Sequence, residues 1–329
     1  MKGIHKISIR SKRLRYDFEL KRNITIIQGN SATGKTSLVD MVREYSENST
    51  ESGIELICDK NCVVINGNNW QKQLSLISDS IVFIDEGNHF VSSKDFAGCI
   101  KETDNYYCIV TRESLHSLPY SVDEIFGIKN SGKYNYLNQT YHEFYKIYSN
   151  EKSLFMPTTP EKIITEDSNS GNDFFSVVCK QSNIECESAN GKANIFNLID
   201  KQSDKNILIV ADGAAFGSEI DRIVKRIGNK NIKLYLPESF EWLILASKLF
   251  DDKDLENMLA NPSDYIDSKN YFSWERFFTD FLIKLTKSSK YQYSKTRLPE
   301  IYLQPRIINQ ILSSLKHAIS FSNKPVACK

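Results

Sequence analysis

The residues best placed to do chemistry form one short stretch, Gly29-Asn30-Ser31-Ala32-Thr33-Gly34-Lys35-Thr36. Glycines at both ends let the backbone curl so that successive N–H groups face one anion. A lysine at position 35 reaches the β- and γ-phosphates of a nucleotide, and the hydroxyl of Thr36 is a ligand for Mg²⁺. A second group, Asp85 and Glu86, closes the apolar run Ser80-Ile81-Val82-Phe83-Ile84. One carboxylate there can hold Mg²⁺ through water while the other polarises an attacking water; the alternative is a solvated acidic turn. Arg112 follows the apolar run Tyr106–Val110. It reads either as a stabiliser of phosphate charge, in cis or across a dimer, or as a surface arginine. A third group, Glu166, Asp212 and Glu238, ends apolar runs in the second half. Carboxylates on adjacent strand ends make a hard oxygen site for Mg²⁺, and the bland alternative is polar strand ends.

Secondary structure must deliver these groups. Ile24-Thr25-Ile26-Ile27 is β-branched and suits a buried strand. Leu38, Val39 and Val42 mark an amphipathic helix after the glycine loop, whose positive end points at the loop. Ile4–Ile9 and Leu14–Leu20 alternate with period two and lead into the loop strand. Short strands are expected at Ile54–Cys58 and Cys62–Ile65, and a last one at Ile125–Ile128. If 80–84 is a buried parallel strand, Asp85 reaches the carboxyl edge of the sheet, where α/β folds bind ligands. Residues 149–160 carry Pro157 and Pro160 and read as a linker. Beyond it, strands at 162–165, 183–187, 206–211 and 232–236 alternate with helices at 170–180, 192–198 and 218–227, which argues a second parallel α/β sheet. A further apolar helix is expected at 240–250, and Trp274, Phe277, Phe278, Phe281, Leu282 and Leu285 lie at helical spacing, as core residues do.

At this point two resemblances can be stated. Gly29–Thr36 match the Walker A motif, so the first half resembles the P-loop NTPases, and 80–86 resembles a Walker B strand. The antiparallel lead-in resembles the start of ABC and SMC-type ATPases. Only 48 positions separate Thr36 from Ile84 and none carries an LSGGQ-like signature, which excludes a complete ABC motor. The second half resembles the Toprim fold in its order of strands, helices and acids. That resemblance implies Mg²⁺ ligands at Glu166, at Asp212 and beside Glu238. It departs at Ala214, where the fold's D-x-D motif has a second Asp; that leaves a weaker site, or one that recruits Asp167, Glu219 or Glu238. An ATPase followed by Toprim is the domain order of the OLD-family nucleases, many of which act in phage defence. The implied protein is an α/β chain: a P-loop domain over 1–150, a Toprim-like domain over 151–250 and a helical basic tail over 251–329. Its cofactors are ATP and Mg²⁺, and ATP gates a Mg²⁺-dependent nuclease. The rivals are an ATP-switched sensor with an inactive Toprim-like domain and a small P-loop kinase.

Composition adds limits. The chain of 329 residues is 40% hydrophobic and 25% charged with net charge +1, so no global field points to nucleic acid or membrane. No apolar run approaches the ~20 residues that span a bilayer. Seven scattered cysteines read as reduced thiols of a cytoplasmic protein. From Ser273 onward ten Lys/Arg face three Asp/Glu, and Lys284, Lys287, Lys290, Lys295 and Arg297 surround Tyr291 and Tyr293. That pattern suits a nucleic-acid backbone with stacked bases or a solvated helix face. A homo-oligomer or a partner protein is compatible with all of this. Asn190-Gly191-Lys192 opens a helix and is a weak phosphate candidate, and His89 and His142 are expected to be structural or surface residues.

Overall fold

The computed structural model describes residues 1–30, 32–131, 139–150, 155–201, 205–227, 231–315 and 319. Ser31 of the glycine loop and residues 151–154 of the expected linker therefore lie outside the described residues. The chain divides into two compact units, Met1–Ser149 with Asn261–Ser273, and Asn150–Ala260 with Trp274–Lys329. The stretch from 251 onward is therefore not a body of its own, as the sequence suggested; its residues are shared between the two units.

The first unit runs β1 (His5–Arg10), β2 (Leu14–Leu20), β3 (Ile24–Ile27), α1 (Lys35–Asn48), β4 (Glu55–Ile57), β5 (Asn61–Val64), α2 (Trp70–Leu74), β6 (Ser80–Ile84), α3 (Lys94–Lys101), β7 (Tyr106–Val110), β8 (Ile125–Ser131) and β9 (Thr140–Lys146). They form one mostly parallel nine-stranded sheet in the order β4-β1-β2-β9-β8-β3-β7-β6-β5. The β1 residues alternate, with His5, Ile7 and Ile9 inward, because successive side chains of a strand point to opposite faces. By contrast β3, β6 and β7 are buried along their whole length, as parallel strands covered on both faces are. α1 buries Leu38, Val39, Met41 and Val42 in the core that holds Ile27, Phe83, Cys108 and Val110. Because β3 pairs parallel with β7 and β7 with β6, the ends of all three strands meet one edge. Gly29, Asp85 and Arg112 follow those ends. The expected last strand at 125–128 extends to Ser131 and pairs antiparallel with β9, a strand the sequence analysis did not find.

The second unit contains β10 (Lys162–Thr165), α4 (Ser170–Ser182), β11 (Glu185–Ser188), α5 (Ile195–Asp200), β12 (Ile207–Val210), α6 (Gly217–Ile227), β13 (Ile232–Tyr235), α7 (Phe240–Ala246), α8 (Lys253–Ala260), α9 (Trp274–Thr286) and α10 (Pro305–Ser313). Its four strands pair in the order β11-β10-β12-β13, every pair parallel, as the alternation of strands and helices requires. The helix expected over 240–250 stops at Ala246, and Lys248 beyond it takes a positive φ of 60° that ends helical propagation. Trp274, Phe277, Phe278 and Leu282 are core, whereas Phe281 and Leu285 are half-buried at the margin of the α9 stripe. No helix among the described residues is long and apolar enough to cross a membrane.

Candidate functional site

The glycine loop joins β3 to α1 through left-handed backbone at Gly29 (φ 132°), Ala32 (φ 62°) and Gly34 (φ 94°). A Cβ on Gly34 would lie 2.7 Å from His142 Cε1 and 2.8 Å from the Tyr16 hydroxyl, so only glycine fits. Lys35, the first residue of α1, is 5% exposed. Its ammonium donates to the carbonyls of Gly29 (2.9 Å) and Asn30 (2.5 Å) and to Thr33 Oγ1 (3.2 Å). Those acceptors are neutral. Burial lowers the Lys35 pKa, Glu86 and Asp85 work against that, and Arg112 adds to it. Asn30, Ala32 and Thr36 form the exposed rim of the loop, with Thr33 half-buried.

Asp85 follows β6 and is half-buried. Burial raises its pKa, and the neighbouring Asp40 and Glu86 push the same way, while the Glu86 N–H, donating to its Oδ1 at 2.8 Å, opposes them. Glu86 is bound to Arg112, whose Nε lies 2.5 Å from Glu86 Oε1. The two residues expected to activate water and to stabilise phosphate charge are thus paired with each other. Asp85, Glu86 and Arg112 lie close enough to act on the Lys35 ammonium. Thr36, next in sequence to Lys35, and Asp85 carry hard oxygen donors of the kind Mg²⁺ takes.

The floor of the loop was missed by sequence reading. Tyr16 and His142 are register partners on β2 and β9, and their rings stack at 4.6 Å and 10°. The Tyr16 hydroxyl donates to the Gly34 carbonyl at 2.9 Å. His142 is 5% exposed, and burial lowers its pKa while a bond to the Thr33 backbone opposes that. His142 is therefore a support of the loop rather than a surface histidine. The period-two pattern of 140–146, with His142 and Phe144 on one face, was the available signal.

In the second unit Glu166 and Asp212 follow the adjacent parallel strands β10 and β12. The Asp212 N–H donates to Glu166 Oε2 at 3.1 Å. They line a cavity of about 30 Å³ with Asp167, Ser170, Glu241 and Lys295. Glu238 does not line it; Glu241, in the first turn of α7, does, and it is 2% exposed. Burial pushes the Glu166 pKa up to about 7, and the Asp212 N–H and Lys192 restrain it. Burial, with Glu275, Glu166 and Glu241, raises the Asp212 pKa well above the carboxylate range. Against these acids stands Lys295, whose ammonium lies 2.5 Å from Glu275 Oε1. Glu241, Glu275 and Lys295 sit too far along the chain for any local pattern to join them to Asp212.

Do these residues fit the Mg²⁺ that a Toprim resemblance implies? The donor set does not. Ala214 stands where the second Asp belongs, an ammonium sits among the carboxylates, and among the described residues no three Asp, Glu, His or Cys side chains are gathered to hold a metal. Asp167 is spent on Asn169, accepting from its N–H (3.2 Å) and its amide (2.7 Å). Glu219 is buried and accepts from Ser218. Lys192 donates to the Ala215 carbonyl and to Ser218 Oγ, so it is committed within the unit.

The expected nucleic-acid surface also changes. Lys284, Lys287, Lys290 and Arg297 are exposed. Tyr293, however, is 4% exposed and donates to Glu241 at 2.8 Å. Tyr291 meets Phe250 edge-on, and Lys295 faces Glu275. The aromatics that would stack on bases are spent inside the unit. No protein-family model matches the chain, and no curated protein matches it.

Proposed function

We propose that the protein binds and hydrolyses ATP through a P-loop in its first unit, and that its second unit is a Toprim-like domain acting as a nucleotide-switched binding or sensor module. The observation that carries the reading is Lys35: a buried ammonium at the N-terminus of a helix, beneath left-handed glycines, hydrogen-bonded to neutral oxygens. Such a cation gains most from an arriving anion. On this reading Lys35 exchanges the Gly29 and Asn30 carbonyls for β- and γ-phosphate oxygens, and the loop N–H groups cradle the phosphate chain. Thr36 and Asp85 would hold the Mg²⁺ of the nucleotide, which would supply positive charge against the phosphates. Glu86 orients and polarises the attacking water, and Arg112 must leave Glu86 free to do so or hold it in aim.

A second reading adds an ATP-gated, Mg²⁺-dependent nuclease for phage defence. The meeting of Glu166 and Asp212 at the carboxyl edge of a parallel sheet favours it. The misfit of the donor set to a metal ranks it second. The kinase reading falls behind both, because its one lid arginine, Arg112, is paired with Glu86. The test is binding of a fluorescent ATP analogue with Mg²⁺. Wild type should bind and release it to unlabelled ATP, and Lys35→Ala should not bind; equal affinity in the two would remove the P-loop assignment.

A further inference from the structure

We infer that the Lys295 ammonium is the resident cation of the acid pocket, standing where a Toprim-like reading of the second unit, on which this inference rests, expects a divalent metal. The lysine is not a loose surface chain. Its own carbonyl accepts the Ser170 N–H at 3.0 Å, at the start of α4. Three residues on, the Leu298 N–H donates to Asp173 Oδ2 at 3.0 Å. Two residues before, the Tyr293 hydroxyl bonds Ser170 Oγ at 2.5 Å and Glu241 Oε1 at 2.8 Å. These bonds hold the segment against α4 and α7 and aim Lys295 at the pocket it helps to line.

The charges support the assignment. The ammonium bonds Glu275 Oε1 and lines the pocket with Glu166, Asp212 and Glu241, so a cation already stands beside the two acids that a metal there would need. Chemistry agrees too, since Ala214 withholds the oxygen ligand that would tip the balance from ammonium to metal.

The inference is tested by Mn²⁺ binding to the full, nucleotide-free chain, read from the electron paramagnetic resonance signal of free Mn²⁺. Any P-loop contribution is removed by comparing each protein with its Asp212→Asn counterpart. Wild type and Asp212→Asn should bind alike at millimolar Mn²⁺. Lys295→Met, and the milder Lys295→Gln, should gain a site at least about tenfold tighter than anything in wild type, lost again when Asp212→Asn is added. Lys295→Arg should stay closed. An Asp212-dependent Mn²⁺ site in wild type overturns the inference, and so does a folded Lys295→Gln that gains none. The wild-type comparison decides alone should both neutral variants fail to fold. The ATP analogue assay on the same preparations reports the nucleotide site separately, so loss of one reading does not carry the other with it.

Discussion

The two units each set a lysine at the carboxyl edge of a parallel sheet, and they use it in opposite ways. Lys35 is bonded to neutral oxygens, and burial lowers its pKa. Burial works to lower the Lys295 pKa as well, but Lys295 is bonded to a carboxylate, and Glu241 and Glu275 raise its pKa overall. The first ammonium is bonded to neutral oxygens and, on the proposed reading, exchanges them for an anion; the second is bonded to Glu275 and lines a pocket with Glu166, Asp212 and Glu241. A parallel sheet supplies the same edge to both units, but the identity of the lysine's partners decides whether that edge is open to a ligand or closed on itself.

The contrast can be sharpened by substitution. Glu86→Gln should have the largest effect, slowing ATP turnover about a hundredfold while nucleotide affinity stays within a few fold, because the amide cannot polarise water. Phosphate release under saturating ATP measures it, and undiminished turnover would return Glu86 to an acidic turn. Gly34→Ala should follow, costing roughly 2 kcal/mol, since the new Cβ meets both His142 and Tyr16 at a positive φ. Denaturant unfolding gives the loss, and nucleotide affinity should fall with it. The smallest effect on nucleotide handling belongs to the closed unit. Glu166 has a pKa raised to about 7 from an ordinary 4.5, so the native state binds more protons than the unfolded one across that range, and its burial costs stability as pH rises through it. Glu166→Gln, which keeps an oxygen for the Asp212 N–H, should leave stability unchanged at pH 4 and raise it by about 3 kcal/mol at pH 8. A variant less stable at pH 8 would mean that Glu166 is ionised and paired, as a metal ligand would be.

Sequence reading reached the open site and only half of the closed one. Gly29–Thr36 are contiguous, and their spacing is the physics of the loop, so the motif and its flanking strand and helix were legible. Asp85 could be placed because a wholly apolar run ending in an acid leaves little freedom for where the acid goes. Glu166 and Asp212 were found by the same rule. Glu241, Glu275 and Lys295 were not, since α7, α9 and the segment after it converge on the sheet edge only through tertiary packing. The search for a third carboxylate stopped at Glu238, nearest the strand end, whereas the first turn of α7 carries Glu241 inward instead. Tyr293 and Lys295 read as nucleic-acid contacts because aromatic and basic residues look alike in sequence whether they face solvent or a buried carboxylate. His142 was expected to be structural or surface, and it is structural; its place under the glycine loop depends on β9 lying beside β2, which pairs it with Tyr16.

The central claim is that the first unit is open to an anion through Lys35 and that the acid pocket takes no part in holding it. The melting temperature with and without ATP and Mg²⁺, measured on wild type, Lys35→Ala and Asp212→Asn, tests it most directly, because a ligand that binds only the native state stabilises it by mass action. Wild type and Asp212→Asn should rise together by several degrees, while Lys35→Ala should not move. A shift that survives Lys35→Ala, or one that Asp212→Asn abolishes, would contradict the account.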